Sequence, residues 1–195
     1  MYSQAEHDKA IFYFDVFRDM CCDIDIQEDA DCLVLGNEEE KCSYKLSDVN
    51  KVFPQVKTLY IGPNVMDIVI RNAMFPNVKK VISDNPMFAS GNMLVKHHVL
   101  LNAFYQTDDA VIDLKDVFLI KAFAFNGCRA KKFINTADIK VCSEKAFADS
   151  ALLKDNPQPI ITAGSILVKI AEDADERWLC RIFAFVIYVN CVFRT

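Results

Sequence analysis

His97 and His98 are the only adjacent histidines among the three in the chain. A metal needs ligands that converge on one point, and neighbours on a strand point to opposite faces, so this pair cannot easily share an ion. A solvated hairpin accounts for it better. His7 lies far in sequence from any nucleophile that it could activate. The acidic stretch from Asp15 to Asp31 holds Asp23, Asp25, Glu28 and Asp29. A calcium loop wraps such oxygens around a tight turn with Gly at a set position. Here no Gly precedes Gly36 and Ile26 interrupts the series, so a solvated surface is the better reading. Gly164-Ser165 followed by Lys169 lacks the GxxxxGK[ST] order of a phosphate loop. No Ser-His-Asp or Cys-His set has supporting spacing. No catalytic, cofactor-binding or metal residue is therefore nominated, and an enzyme is not expected.

The eight cysteines do not read as a disulfide framework. Cys21 and Cys22 are adjacent, Cys128 and Cys142 fall where side chains should point inward, and Cys180 and Cys191 lie in an apolar tail. None forms a CxxC or CxxxxH pattern. Reduced, buried thiols are expected, with disulfides the lesser alternative.

What could act by recognition is a set of lysines, and their importance depends on a repeat. Phe53-Pro54-Gln55-Val56-Lys57 returns 22 residues later as Phe75-Pro76-Asn77-Val78-Lys79. Ala124-Phe125 returns after the same interval as Ala146-Phe147. A fixed period in the low twenties indicates a solenoid of stacked units. Val56-Lys57-Thr58-Leu59-Tyr60-Ile61-Gly62-Pro63-Asn64 fits LxxLxLxxN, with residues 59 and 61 inward on a short strand and Asn64 able to bond the bend that follows. Val78 to Asn85 and Ala130 to Asn135 are looser copies.

In that register Lys57, Lys79 and Lys131 share one position, and Thr58, Lys80 and Lys132 the next. Tyr60, Ile82 and Ile134 share a third. Equivalent positions in a stacked sheet lie about 4.8 Å apart, so these nine residues form a candidate ligand-facing ladder. A basic ladder suits an acidic partner, although lysine also fills such places for solubility.

A longer echo overlies the first. Asp84-Asn85-Pro86 and Gly91 to Lys96 return as Asp155-Asn156-Pro157 and Gly164 to Lys169, at separations of 71 and 73. Each copy predicts an inserted β-hairpin with Gly91 or Gly164 near its turn. Upstream, Ala10, Tyr13, Phe14, Phe17 and Cys21 recur at helical steps, and Ser3 with Glu6 has capping-box form, which predicts an N-terminal helix. Residues 23–26, where Ile24 and Ile26 alternate with Asp23 and Asp25, and 32–35 read as strands. Residues 1–50 carry no copy of the repeat and are expected to cap a solenoid over 51–195, whose own C-terminal cap is atypical from about residue 178.

The phrases Val117-x-x-Ile120-x-x-x-Ala124-Phe125-x-x-Cys128 and Ile139-x-x-Cys142-x-x-x-Ala146-Phe147 resemble leucine-rich repeats of the BspA-like type over roughly residues 51–170. Ser150 departs from the pattern where a Cys is expected. The resemblance implies a right-handed solenoid with a parallel strand on one side of each unit, and a role in protein or surface recognition. The expected fold class is thus a strand-rich α/β repeat: a leucine-rich-repeat solenoid with a parallel sheet, inserted hairpins and an N-terminal capping helix. A structural or terminal segment of a larger surface-associated protein is the second functional expectation.

Composition bounds these readings. Hydrophobic residues make up 52% and charged residues 25%, which is globular and not disordered. Fifteen Phe suit layers that fill a flat interior. The net charge of -5 argues against nucleic acid as a partner, leaving a protein or surface ligand. The apolar run from Ile182 to Phe193 is too short to span a bilayer. Residues 1–6 lack the basic and apolar regions of a secretory signal, so a cytoplasmic location is expected, or a surface or secreted one were a leader removed.

Overall fold

The computed structural model describes residues 2–15, 20–36, 41–104, 107–154, 156–158 and 160–170. Two compact units emerge, Met1–His97 with Leu101–Phe104, and His98–Leu100 with Tyr105–Thr195. Each is a length of parallel-sheet β-solenoid.

In the first unit the strands are β1 (Tyr2–His7), β2 (Ala10–Asp15), β3 (Met20–Ile26), β4 (Cys32–Leu35), β5 (Cys42–Lys45), β6 (Thr58–Ile61), β7 (Val65–Val69), β8 (Lys80–Ser83), β9 (Phe88–Ala89) and β10 (Met93–Lys96). A further strand, β11 (Val99–Ala103), follows β10 through the two-residue turn His97-His98. Both turn residues have positive φ, 45° and 66°, as a tight hairpin turn demands. The histidines are therefore turn residues and do not alternate along a strand.

β4, β6 and β8 run parallel in strict register. Leu33, Leu59 and Val81 stack inside, as do Leu35 and Ile61. The alternation in Thr58-Leu59-Tyr60-Ile61 makes this so: the two aliphatic side chains enter the core, and each is stabilised by about 2 kcal/mol on burial. A second parallel ladder, β3–β5–β7, faces the same core and contributes Cys21, Tyr44 and Ile68. Strands thus lie on two sides of the coil, where the resemblance implies one. β3 and β4, from the first fifty residues, take part in these ladders.

The N-terminal helix is corrected by the structure: β1 and β2 form an antiparallel hairpin that extends β3. The deciding alternation is Ala10, Phe12 and Phe14 against Ile11, Tyr13 and Asp15. Ala10 and Phe12 are buried, and Phe12 meets the Tyr44 ring edge-on at 5.7 Å. Three- and four-residue steps through the same segment had skipped Phe12. Ser3 pairs with Phe14 in the ladder, so Ser3 caps no helix. Phe17 lies outside the described residues. Among the described residues helix is confined to a 3-10 turn (Asn72–Met74) and one short α-helix, α1 (Ala151–Lys154), so the α component of the expected class is nearly absent.

The phrases of period 22 are turns. Phe53 and Phe75 stack with centroids 5.8 Å apart, and Val56 and Val78 close the core beneath them. Asn85 is buried and ties coils together: its amide donates to the Val65 and Pro63 carbonyls at 2.7 and 3.0 Å, while its Oδ1 accepts the Met87 N–H at 2.9 Å. The bend after β6 is thus bonded from the following coil. Asn102 does the same with the Ile70 carbonyl and the Asn72 Oδ1.

β8 does not end as a bare edge. The Val81 N–H donates to the Gly91 carbonyl at 2.7 Å and the Val81 carbonyl accepts the Gly91 N–H at 2.9 Å. Ser90 Oγ accepts the Ser83 N–H at 2.9 Å. β9 and β10 pair antiparallel as the expected inserted hairpin, with Gly91 in the segment that joins them, and from there Gly91 also seals the edge of β8.

The second unit comprises β11, through Val99 and Leu100, with β12 (Val111–Asp113), β13 (Leu119–Ile120), β14 (Lys132–Ile134), β15 (Val141–Cys142), α1, β16 (Ile160–Ala163) and β17 (Ile166–Ile170). One parallel ladder stacks Leu100, Ile120 and Cys142, and the other pairs β12 with β14. Their turns carry Ala124-Phe125 and Ala146-Phe147, all buried. β16 and β17 form the expected hairpin, with Gly164 in its turn at φ 60°. Thr136 Oγ1 accepts the Ser165 N–H at 2.8 Å and holds that turn. The region from Trp178 onward and the run 182–193 lie outside the described residues.

Candidate binding surface

The outer face of β4–β6–β8 is built by the same alternation that fills the core. Register places Cys32 beside Thr58 and Lys80, and Val34 beside Tyr60 and Ile82. All except Lys80 are half-buried, and Lys80 is exposed. Just before these strands the Lys79 N–H donates to the Lys57 carbonyl at 2.9 Å, and the Lys57 N–H to the Asp31 carbonyl at 2.8 Å. Three lanes result: Asp31–Lys57–Lys79, Cys32–Thr58–Lys80 and Val34–Tyr60–Ile82. The Tyr60 hydroxyl donates to the Asp84 carboxylate, which tethers the end of the ring.

Six of the nine ladder residues, Lys57, Thr58, Tyr60, Lys79, Lys80 and Ile82, are thus brought together on one sheet. Lys131, Lys132 and Ile134 belong to the second unit, where Lys132 pairs with Val111 and Ile134 with Asp113. Ile134 and Val111 are 47% and 45% exposed. Lys131 Nζ lies 3.8 Å from Asp108, whose carboxylate Arg129 also holds at 2.6 Å. The Arg129 bond keeps the Asp108 carboxyl below the usual range.

Cys32, Val34 and Val111 were missed. Their strands carry no copy of the Lys-bearing phrase, but Cys32-Leu33-Val34-Leu35 does align by alternation with Thr58-Leu59-Tyr60-Ile61. That pattern was the available signal.

An open groove of about 520 Å³ in the first unit is lined by Tyr13, Cys22, Asp23, Asp48, Val49, Asn50 and Lys51. Its charges are spent on one another. Lys51 Nζ lies 2.9 Å from both Asp23 Oδ1 and Asp25 Oδ1 and donates to the Ile24 carbonyl at 3.1 Å. Burial works against the Lys51 charge, but the bonds to Asp23 and Asp25 outweigh it and raise its pKa above the ordinary lysine value. The Lys51 bond, and then that from the Tyr13 hydroxyl at 3.0 Å, hold the Asp25 carboxyl below its ordinary range. The acidic stretch thus neutralises a lysine and latches the turn at Lys51 to β3.

Cys21, Cys22, Cys32, Cys42, Cys128 and Cys142 are thiols. Burial pushes Cys21 up to about 12, which suits a packing role. Cys180 and Cys191 lie outside the described residues. Among the described residues no group of His, Cys, Asp and Glu gathers as metal ligands, and no helix is long and apolar enough to cross a membrane. His98 stacks on Phe118 at 4.6 Å and its Nδ1 donates to the Asp116 carbonyl at 2.7 Å, so the ring is held by packing and one bond.

No family model, curated protein or solved structure matches the chain. The function has to be read from the surfaces themselves.

Proposed function

We propose that this chain is a non-catalytic recognition module that binds a protein or surface ligand on the outer face of β4–β6–β8. The observation that carries the reading is the register of that face. Val34, Tyr60 and Ile82 form a continuous half-exposed apolar lane, and lysines lie along its flank. Side chains on a rigid ladder lose little freedom when a ligand docks, so affinity is not eroded by ordering cost. The leucine-rich-repeat resemblance supports the same mode of action, and the β12–β14 face of the second unit offers Val111, Lys132 and Ile134 as a smaller companion surface.

The test is an array of peptides and glycans probed with the wild-type chain and with Tyr60→Ala/Ile82→Gln. Signals that vanish in the double variant, with an unchanged far-ultraviolet spectrum, place recognition on this sheet. Equal signals from both proteins remove it from consideration.

A further inference from the structure

The way the first unit spends its charges says more about the partner. Lys9, Lys45, Lys51 and Lys96 each have a carboxylate in ion-pair distance: Asp29, Asp48, Asp23 with Asp25, and Asp67. Lys57, Lys79 and Lys80 have none among the described residues, although the chain carries 27 Asp and Glu against 22 Lys and Arg. In a chain with a surplus of acid, three clustered cations without counter-ions make a local positive field. Lys41, just before β5, likewise has none among the described residues but stands apart from these three.

From this, and resting on the reading of the sheet face as a binding surface, we infer that the partner is an extended protein segment in which carboxylates alternate with apolar side chains. The carboxylates meet Lys57, Lys79 and Lys80. The apolar side chains cover Val34, Tyr60 and Ile82. Asp31 begins the basic lane with the opposite sign, which places the acidic end of the segment toward β8. A nucleic acid fits worse: the overall charge of -5 repels a long polyanion, and bases would need stacking platforms that this lane, with one tyrosine, does not supply.

The experiment is fluorescence anisotropy on the full chain with a short labelled peptide of alternating Glu and Leu. A Lys/Leu peptide, oligothymidylate and a heparin oligosaccharide serve as comparators. The Glu/Leu peptide is expected to bind saturably and more tightly than the other three. Lys79→Glu/Lys80→Glu should weaken it about tenfold or more, as reversal of interfacial charges does. Lys115→Glu/Lys121→Glu, the same charge change in the second unit, should leave it unaltered. Asp31→Lys, which extends the lane, should tighten binding, an outcome that a damaged fold cannot produce.

The inference is overturned if the Glu/Leu peptide is not bound, if oligothymidylate or heparin binds more tightly, or if Lys79→Glu/Lys80→Glu has no effect. Array signals lost in Tyr60→Ala/Ile82→Gln but retained in Lys79→Glu/Lys80→Glu would overturn the acidic partner and leave the sheet-face reading standing. Array signals indifferent to both variants would overturn both.

Discussion

Phe125 and Phe147, one repeat apart, stack with ring centroids 4.5 Å apart and planes 23° from parallel. Phe133 meets both rings edge-on, at 5.4 and 5.6 Å. A repeated phrase has become a physical contact between its own copies. Each ring is buried in part by its neighbour from the next turn and in part by Phe133, so the packing of each turn depends on the other.

Phe147→Ala should therefore cost about 3–5 kcal/mol, the range for emptying a buried aromatic site. Phe147→Leu, which refills part of the volume, should cost less. Urea denaturation followed by circular dichroism measures both. A Phe147→Ala midpoint equal to wild type would show that the stack contributes nothing.

Gly127 and Asp149 occupy the same place in successive turns, and both take left-handed backbone, with φ 72° and 60°. A Cβ built at Gly127 meets nothing within 4 Å. Gly127→Asp or Gly127→Asn should thus cost no more than about 1 kcal/mol, since these residues tolerate that conformation. Gly127→Val should cost more, because a branched Cβ is strained there. Thermal unfolding of the three variants decides the order, and equal losses for Asp and Val would refute it.

The latch at Lys51 gives stability a pH dependence with a definite sign. Asp25 has a lowered pKa in the folded chain, so its contribution is present above the ordinary carboxylate value and is lost as pH falls through the depressed one. Lys51 acts at the other end, contributing below the ordinary lysine value and losing that as pH rises through its raised one. With Asp25 half exposed, the acid-side effect should stay below about 1 kcal/mol. Asp25→Asn should lower the urea midpoint near neutrality and converge with wild type in acid. A constant gap at every pH would mean that the carboxylate charge is not what matters.

Much of the solenoid could be read from side chains that recur. Phe53 and Phe75, Leu59 and Val81, and Thr58 and Lys80 announce the turn, the inward position and the outward position of one ladder. The other ladder was silent. Cys42 to Lys45 and Val65 to Val69 share no phrase, because what joins β5 to β7 is backbone bonding with a register shift, to which side-chain identity is nearly indifferent. The N-terminal hairpin was misread because Ala10, Tyr13 and Phe14 satisfy a helical step as well as a strand does. Only the burial of Phe12 separates the two. At the surface the lysine positions were legible, but their state was not: Lys131 finds Asp108, while Lys79 and Lys80 find no carboxylate among the described residues. Ion pairing depends on which loop comes past, and a repeat period holds no record of that.

The bridge between Val81 and Gly91 has a consequence for size. A parallel coil has no inherent length, since the last strand of any stack offers the next one the same row of donors and acceptors. Here the chain answers its own offer within ten residues of β8, using two backbone bonds and a serine hydroxyl. Growth of that sheet past β8 is therefore stopped inside the molecule, and a free strand from another chain finds the place beside Val81 already taken.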